Sequence, residues 1–259
     1  MAILENELFI VSEESSEIDV YDSIKFSLSR QWSLEELVLP KDIGSCDRNK
    51  CLYIFDFKGI GLSNEILKVD PNGKLLKKWS AGDDFSRLSV AYDSNVIATV
   101  YNKNKLSEYS PDGQLIREIK LSPDPGIRGP LHAIKQTNGH FVVSLGYLYG
   151  DDLHRVWMVD EDGNLTKSFV GECISSSGQM DYPISLSIDG NGFVMVAYRN
   201  SGRVLLLDSD LEFRREILSK EIRELQGPSR ILLHESNGQL IVADISVING
   251  GGRIMIFKI

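Results

Sequence analysis

The stretch YPISLSIDGNGFVMVAYRNSGRVLLLDSDLEFRREI, Tyr182 to Ile217, decides the fold. Three apolar runs rich in Val, Ile and Leu are separated by turns containing Asn191-Gly192, Asn200-Ser201-Gly202 and Asp208-Ser209-Asp210, and a polar, basic run closes the segment. Short β-branched runs broken by residues that accept positive φ read as antiparallel strands joined by tight turns. The same order recurs roughly every 45 residues, the period of a small sheet that must stack on its neighbours to bury its faces. The chain is therefore expected to be all-β, a six-bladed β-propeller of four-stranded antiparallel blades.

The other copies share the landmarks. First strands open near Pro40, Arg87, Pro130, Pro183 and Pro228, where proline suits a strand start because it has no N–H. Second strands follow in LYIFD (52–56), VIATV (96–100), FVVSL (141–145), FVMVAY (193–198) and LIVAD (240–244). Third strands are ILKVD (66–70), LSEYS (106–110), VWMVD (156–160), VLLLD (204–208) and IMIFK (254–258). Most third strands lead through an Asp- or Ser-initiated turn into a basic fourth strand such as KLLKKW or QLIREI. Lys74, Lys77, Lys78, Arg214 and Arg215 fall in these outer segments, where charge protects an edge against pairing.

At the N-terminus ELFIVS (7–12) matches a second strand and IDVYD (18–22) a third, leaving Met1 to Leu4 for the first. The C-terminal copy stops in its third strand, so the seam between the first and last blades is expected to lack a strand, either left open or filled by upstream residues. One domain spanning 1–259 is expected, with blades at about 1–34, 35–80, 81–121, 122–170, 171–219 and 220–259.

Composition is that of a soluble globular chain: 42% hydrophobic and 25% charged residues. No apolar run is long enough to span a membrane, and the N-terminus lacks the basic flank and cleavage site of a secretory signal. A formal charge of −9 disfavours nucleic-acid binding through phosphate neutralisation.

NSGRVLLLD (200–208), GGRIMIFK (251–258) and LHRVWMVD (153–160), each after an apolar strand, resemble the NHL repeat. Its usual form is Pro-x-Gly-Ile-Ala-Val-Asp, then Val-Ala-Asp, then Asn-x-Arg-Ile-x-Val-Phe-Asp. GSCDRNKCLYIFDF, NKLSEYSPDGQLIREIKL and LHAIKQTNGHFVVS are similar in texture to uncharacterised animal NHL-repeat proteins. The resemblance covers nearly the whole chain and implies a six-bladed propeller, although every copy here lacks the usual first-strand glycine. NHL domains of tripartite-motif proteins bind protein or RNA, while other six-bladed relatives are lyases, lactonases or esterases, so the resemblance leaves function open.

The position two residues after the strand-opening Pro should face the central channel, and it holds Asp42, Ser89, His132, Ser185 and Arg230. These residues either line a water-filled channel or form a ligand or peptide site at its mouth. Tyr147 and Tyr149, in the long GYLYGDDLHR loop, and Tyr198 and Tyr101, at matching strand ends, would extend that face.

Chemistry is harder to supply. Of four histidines only His132 sits at a channel position, and Asp42 alone does not make an oxygen-ligand set for calcium, so neither metal nor cofactor is expected. No nucleophilic-serine motif is present, and no catalytic residue is assigned. A basic residue opens the third strands at Lys105, Arg155, Arg203 and Arg253 and is expected to be structural: in the NHL pattern this residue faces the Asp ending the preceding strand, and Asp244 with Arg253 reproduces that pair. Cys46 and Cys51 flank DRNK on one hairpin, as a bridge or as two thiols; Cys173 is unpaired; Asn164-Leu165-Thr166 is a glycosylation sequon.

The expectation is a non-catalytic binding scaffold for a protein or peptide partner, as a monomer or a domain of a larger protein. The alternative is a small-molecule hydrolase or lyase using Asp42, His132 and Arg230, with RNA binding more distant.

Overall fold

The computed structural model describes residues 1–12, 15–82, 85–122, 129–146, 154–170, 181–219, 225–245 and 251–259, with backbone only at 85–86. It contains six antiparallel sheets. In chain order these are β1 (Ala2–Leu4), β2 (Glu7–Val11), β3 (Glu17–Asp22) and β4 (Leu28–Ser33); β5 (Pro40–Cys46), β6 (Cys51–Asp56), β7 (Asn64–Val69) and β8 (Leu75–Gly82); β9 (Phe85–Val90), β10 (Val96–Val100), β11 (Lys105–Tyr109) and β12 (Leu115–Lys120). The next two are β13 (Pro130–Lys135), β14 (Phe141–Leu145), β15 (Arg155–Val159) and β16 (Leu165–Phe169), then β17 (Pro183–Ile188), β18 (Val194–Tyr198), β19 (Arg203–Leu207) and β20 (Phe213–Leu218). The last holds β21 (Pro228–His234), β22 (Gln239–Ile245) and β23 (Gly252–Lys258).

Every sheet is a meander in which consecutive strands pair, five with four strands and the last with three. The fold is that of a six-bladed β-propeller, with the sheet at the C-terminal end one strand short. Met1–Leu4 supply a true first strand, Ala2 pairing Phe9. The chain divides into two compact units, Met1–Thr99 with Ser107–Glu118, and Val100–Leu106 with Ile119–Ile259.

Four second strands, Cys51–Asp56, Val96–Val100, Phe141–Leu145 and Val194–Tyr198, are buried on both faces. Adjacent sheets share one apolar layer. Ile134, Val142, Val156 and Met158 pack with Leu186, Val196, Tyr198 and Leu205, and Met195, Ala197 and Val204 pack with Ile231, Leu240 and Val242. Outer strands are mostly exposed, so their basic residues line edges, as expected for β8 and β20.

The turns before the fourth strands explain their Asp and Ser. Asp70 Oδ1 accepts the amides of Asn72 (2.9 Å) and Lys74 (2.8 Å), and Asp160 Oδ1 those of Asp162 (3.0 Å) and Asn164 (2.8 Å). Asp208 Oδ1 does the same with Asp210 and Glu212, both at 2.9 Å. Ser110 Oγ takes over the role with Asp112 and Gln114. Burial raises the Asp208 carboxyl pKa, but the Glu212 and Asp210 amides and the Arg214 guanidinium outweigh it and hold the group below the usual carboxylate range. The Asn164 side chain and amide hold Asp160 low in the same direction. With folded pKa values depressed, these carboxylates stabilise the fold above the unfolded value near 4 and lose that contribution as pH falls through the folded values. Asp208→Asn is thus expected to lower the denaturation midpoint at pH 7 and to matter progressively less below about pH 4.

A glycine in the same turns admits a neighbour's aromatic ring. Gly113 has φ +79°, and a Cβ there would lie 2.5 Å from Cδ2 of Trp79, in the preceding sheet; Gly73 stands likewise against Trp32. Trp79 also meets Tyr53 edge-on, with centroids 6.0 Å apart. Gly113→Ala combines a left-handed backbone with a clash against a packed indole, and is expected to cost about 2–3 kcal/mol in denaturant unfolding.

Cys46 and Cys51 are directly opposed partners of the β5–β6 hairpin, and both are buried free thiols. Burial pushes the Cys51 thiol pKa up. Cys173 lies outside the described residues.

Candidate functional site

In four sheets the first strand carries a bulge just after its proline. The residue beyond the bulge pairs with the second strand: Asp42 with Phe55, His132 with Ser144, Ser185 with Ala197, and Arg230 with Ala243. A bulge re-aims the side chain that follows it. Asp42 and His132 are each only 2% exposed and Ser185 is fully buried, whereas Arg230 is half-buried.

Three of these residues have the same partner type. Asp42 Oδ2 accepts the amide of Leu88 on β9 at 3.0 Å, His132 Nδ1 that of Leu186 on β17 at 3.0 Å, and Ser185 Oγ that of Ile231 on β21 at 3.2 Å. Carboxylate, imidazole and hydroxyl thus perform one task, satisfying a backbone donor on the first strand of the next sheet. Asp42 Oδ1 also accepts the amide of Ile43. Side chains read from the sequence as channel-facing ligands are latches between neighbouring sheets.

Ser89 does not belong to this set. The turn-closing amide of β9–β10 is Ala91, donating to Asn95, and that of β13–β14 is Gln136, donating to His140; four residues before each stand Arg87 and His132. The Leu88 amide that meets Asp42 likewise follows Arg87, just as Leu186 follows Ser185. Arg87 therefore occupies the position that the sequence reading gave to Ser89, and the strand begins two residues earlier, at Phe85. This copy has no proline to mark the start, which is why the register slipped. Thr99 Oγ1 pins Arg87, accepting its amide at 3.1 Å, much as Ser144 Oγ donates to the carbonyl of His132 at 3.3 Å.

Tyr198 also departs from expectation. It is 1% exposed, pairs with Pro183 and sits in the apolar layer between two sheets, so it offers nothing to a partner; burial pushes its phenol pKa well above the ordinary value. Tyr147 and Tyr149 lie outside the described residues. Tyr101, in a 3-10 turn (Tyr101–Lys103), is half-buried and packs with Leu131, Tyr182 and Ile184.

Beside that cluster is a constellation that the sequence reading passed over. His154 Nδ1 lies 2.9 Å from Asp181 Oδ1, Asn200 Nδ2 donates to Asp181 Oδ2 at 3.1 Å, and the His154 ring meets Tyr182 edge-on. Tyr182 holds φ +63°, a left-handed conformation rarely adopted by an aromatic residue, with its carbonyl accepting the Arg199 amide. Its only signal in the sequence is Asp-Tyr-Pro, a strand start with a bulky residue before proline.

The pairing of Asp244 with Arg253 is present: Nε lies 3.1 Å and Nη2 3.0 Å from Oδ2. Oδ1 meanwhile accepts the amides of Gln226 (3.0 Å) and Gly227 (2.8 Å), which lead into β21. Asp56 clasps Val38 and Leu39 in the same way, with Lys58 at 2.5 Å as its cation. Arg203 differs: Tyr198 stands where the aspartate would be, and the guanidinium turns to Glu216 at 2.6 Å.

Among the described residues no three His, Cys, Asp or Glu side chains gather so as to hold a metal ion, and no helix is long and apolar enough to cross a membrane. Asp42 lies in one compact unit and His132 and Arg230 in the other. Within the second unit β13, β17 and β21 run as neighbours, and Arg230 Nη1 lies 3.0 Å from His132 Nε2.

No family model and no curated protein matches the chain. Solved structures do. A protein of unknown function from Bacteroides caccae superposes with a TM-score of 0.68 at 14% identity, covering 94% of this chain and 84% of that one. The hydrazine synthase of Kuenenia stuttgartiensis gives 0.66 at 12%, covering 99% and 95%, and the WD40 repeats of RRP9 give 0.66 at 10%, covering 94% and 72%. At such identities the likeness is one of fold.

Proposed function

We propose that the chain is an NHL-type propeller acting as a non-catalytic binding module for a protein partner, recognised through a surface that includes the half-buried Arg230. The observation that carries this reading is the engagement of Asp42 and His132 Nδ1 with framework amides. A hydrolase or lyase built on Asp42, His132 and Arg230 would need those acceptors for proton transfer, whereas a recognition surface needs only the half-buried guanidinium. RNA is the weaker alternative because the net charge of −9 repels a polyanion.

Affinity capture with the wild-type protein and with Arg230→Glu, followed by titration of any purified candidate against both, tests this. Loss of affinity by about tenfold or more in the variant is expected. Equal affinity would place recognition elsewhere.

A further inference from the structure

Cys46 and Cys51 end the ladder of the β5–β6 hairpin as directly opposed residues. Residues so paired have Cα atoms about 4.5–5.5 Å apart and side chains on one face, inside the roughly 4.4–6.8 Å that a disulfide spans. Both side chains accordingly pack in one apolar cluster, with Tyr53, Leu88 and Val96. The ladder itself therefore sets the two sulfurs where they can bond with the backbone in place.

Their surroundings order the chemistry. Cys51 is fully buried, and burial pushes its thiol pKa up; the Tyr53 hydroxyl acts against that rise and the adjacent Cys46 thiol adds to it. A thiol held protonated is a poor nucleophile, so Cys51 is not the residue that meets an oxidant first. Cys46 is buried too, but it leads into Asp47, Arg48, Asn49 and Lys50, all exposed. The turn-closing bond of that loop, from the Lys50 amide to the Asp47 carbonyl, is 3.3 Å long, and Lys50 holds a left-handed φ of +47°. Opening of this loop, with the sheet intact, is enough to bring Cys46 to solvent.

We propose that Cys46 and Cys51 are a reversible redox site, a thiol pair that a small-molecule disulfide of the glutathione type converts into a cross-strand bridge. The Cys46 thiolate attacks one sulfur of the small disulfide, forming a mixed disulfide and releasing one thiol, which takes up the Cys46 proton. Cys51 Sγ then attacks Cys46 Sγ; the bond to the small molecule breaks, and the second thiol leaves with the Cys51 proton. Two protein thiols are oxidised and one small disulfide is reduced to two thiols. Enforced proximity offsets the low thiolate content of Cys51 in the second step. The bridge closes a short ring, so its effect falls on the loop more than on the whole fold.

The test equilibrates native protein carrying Cys173→Ser with reduced and oxidised glutathione over a range of ratios, quenches with acid, and maps thiols by alkylation and mass spectrometry. Cys46 and Cys51 are expected to disappear together, the chain losing two hydrogens and retaining no glutathione, and excess dithiothreitol should restore both. The bridged form should be the main product at a ratio where less than about a tenth of Cys51 is modified once Cys46→Ser is added. In the bridged protein the Lys50 amide should exchange about threefold more slowly or better. Glutathione retained on Cys46 as the end product would overturn the proposal, as would a bridge that forms only in denaturant, or one that lowers the denaturant midpoint below that of the reduced protein. Should a serine variant fail to fold, mapping of the oxidised wild type decides: Cys46 joined to Cys51 supports the site, and either of them joined to Cys173 overturns it.

Discussion

Asp244→Ala is expected to destabilise the protein by about 3 kcal/mol or more, read as a lowered denaturant midpoint. The carboxylate is 1% exposed and joins three groups: the Gln226 and Gly227 amides at the entrance to β21, and the Arg253 guanidinium at the start of β23. Removing it leaves the buried Gly227 amide without its side-chain acceptor. Arg253→Ala should cost well under half as much, because its side chain is 45% exposed and water replaces the lost partner. Asp244→Asn keeps an acceptor oxygen and should fall between. If Arg253→Ala proves as damaging as Asp244→Ala, the ion pair and not the loop clasp holds this corner together.

The second large effect is expected at Asp42. Asp42→Ala removes acceptors from the Leu88 and Ile43 amides, one across the junction between sheets and one within its own strand. A loss of about 2–4 kcal/mol follows from burying unpaired backbone donors, whereas Asp42→Asn, which can still accept one amide, should lose about half of that. Arg230→Ala should cost less than Asp42→Ala, since its half-buried side chain keeps contact with water whereas Asp42 is buried. Chemical denaturation of the four proteins side by side separates latch from recognition residue: the account fails if Arg230→Ala is the most destabilised.

Much of the fold was legible in the sequence because its punctuation has a mechanism. VIATV and FVVSL are strands with the bounds read from them, and the Asp-Pro-Asn-Gly and Asp-Glu-Asp-Gly turns close through the aspartate oxygen as their residue types imply. The missing last strand was also visible from the count. Where proline was absent, at Phe85, the start slipped by two residues and delivered Ser89 in place of Arg87. Tyr198 was misplaced for another reason: a strand buried on both faces has no alternation to reveal which end is exposed.

The candidate site was half legible. Polar residues at one register pointed to a repeated strand position, and four of the five named occupy it, each just beyond a bulge in its own sheet. Their role was hidden because a side chain that accepts an amide from the neighbouring sheet leaves no mark in the spacing of its own strand. An Asp, a His and a Ser filling one structural role also look, in a sequence, like the components of a reactive centre.

The claim on which this account turns is that these side chains hold the amides of the next first strand, and amide hydrogen exchange reports it residue by residue. In Ser185→Ala the Ile231 amide should exchange about fivefold faster or more, the equivalent of one lost hydrogen bond, while the Leu88 and Leu186 amides, latched by Asp42 and His132, keep their wild-type rates. An unchanged rate at Ile231, or an equal rise at all three amides, would contradict it.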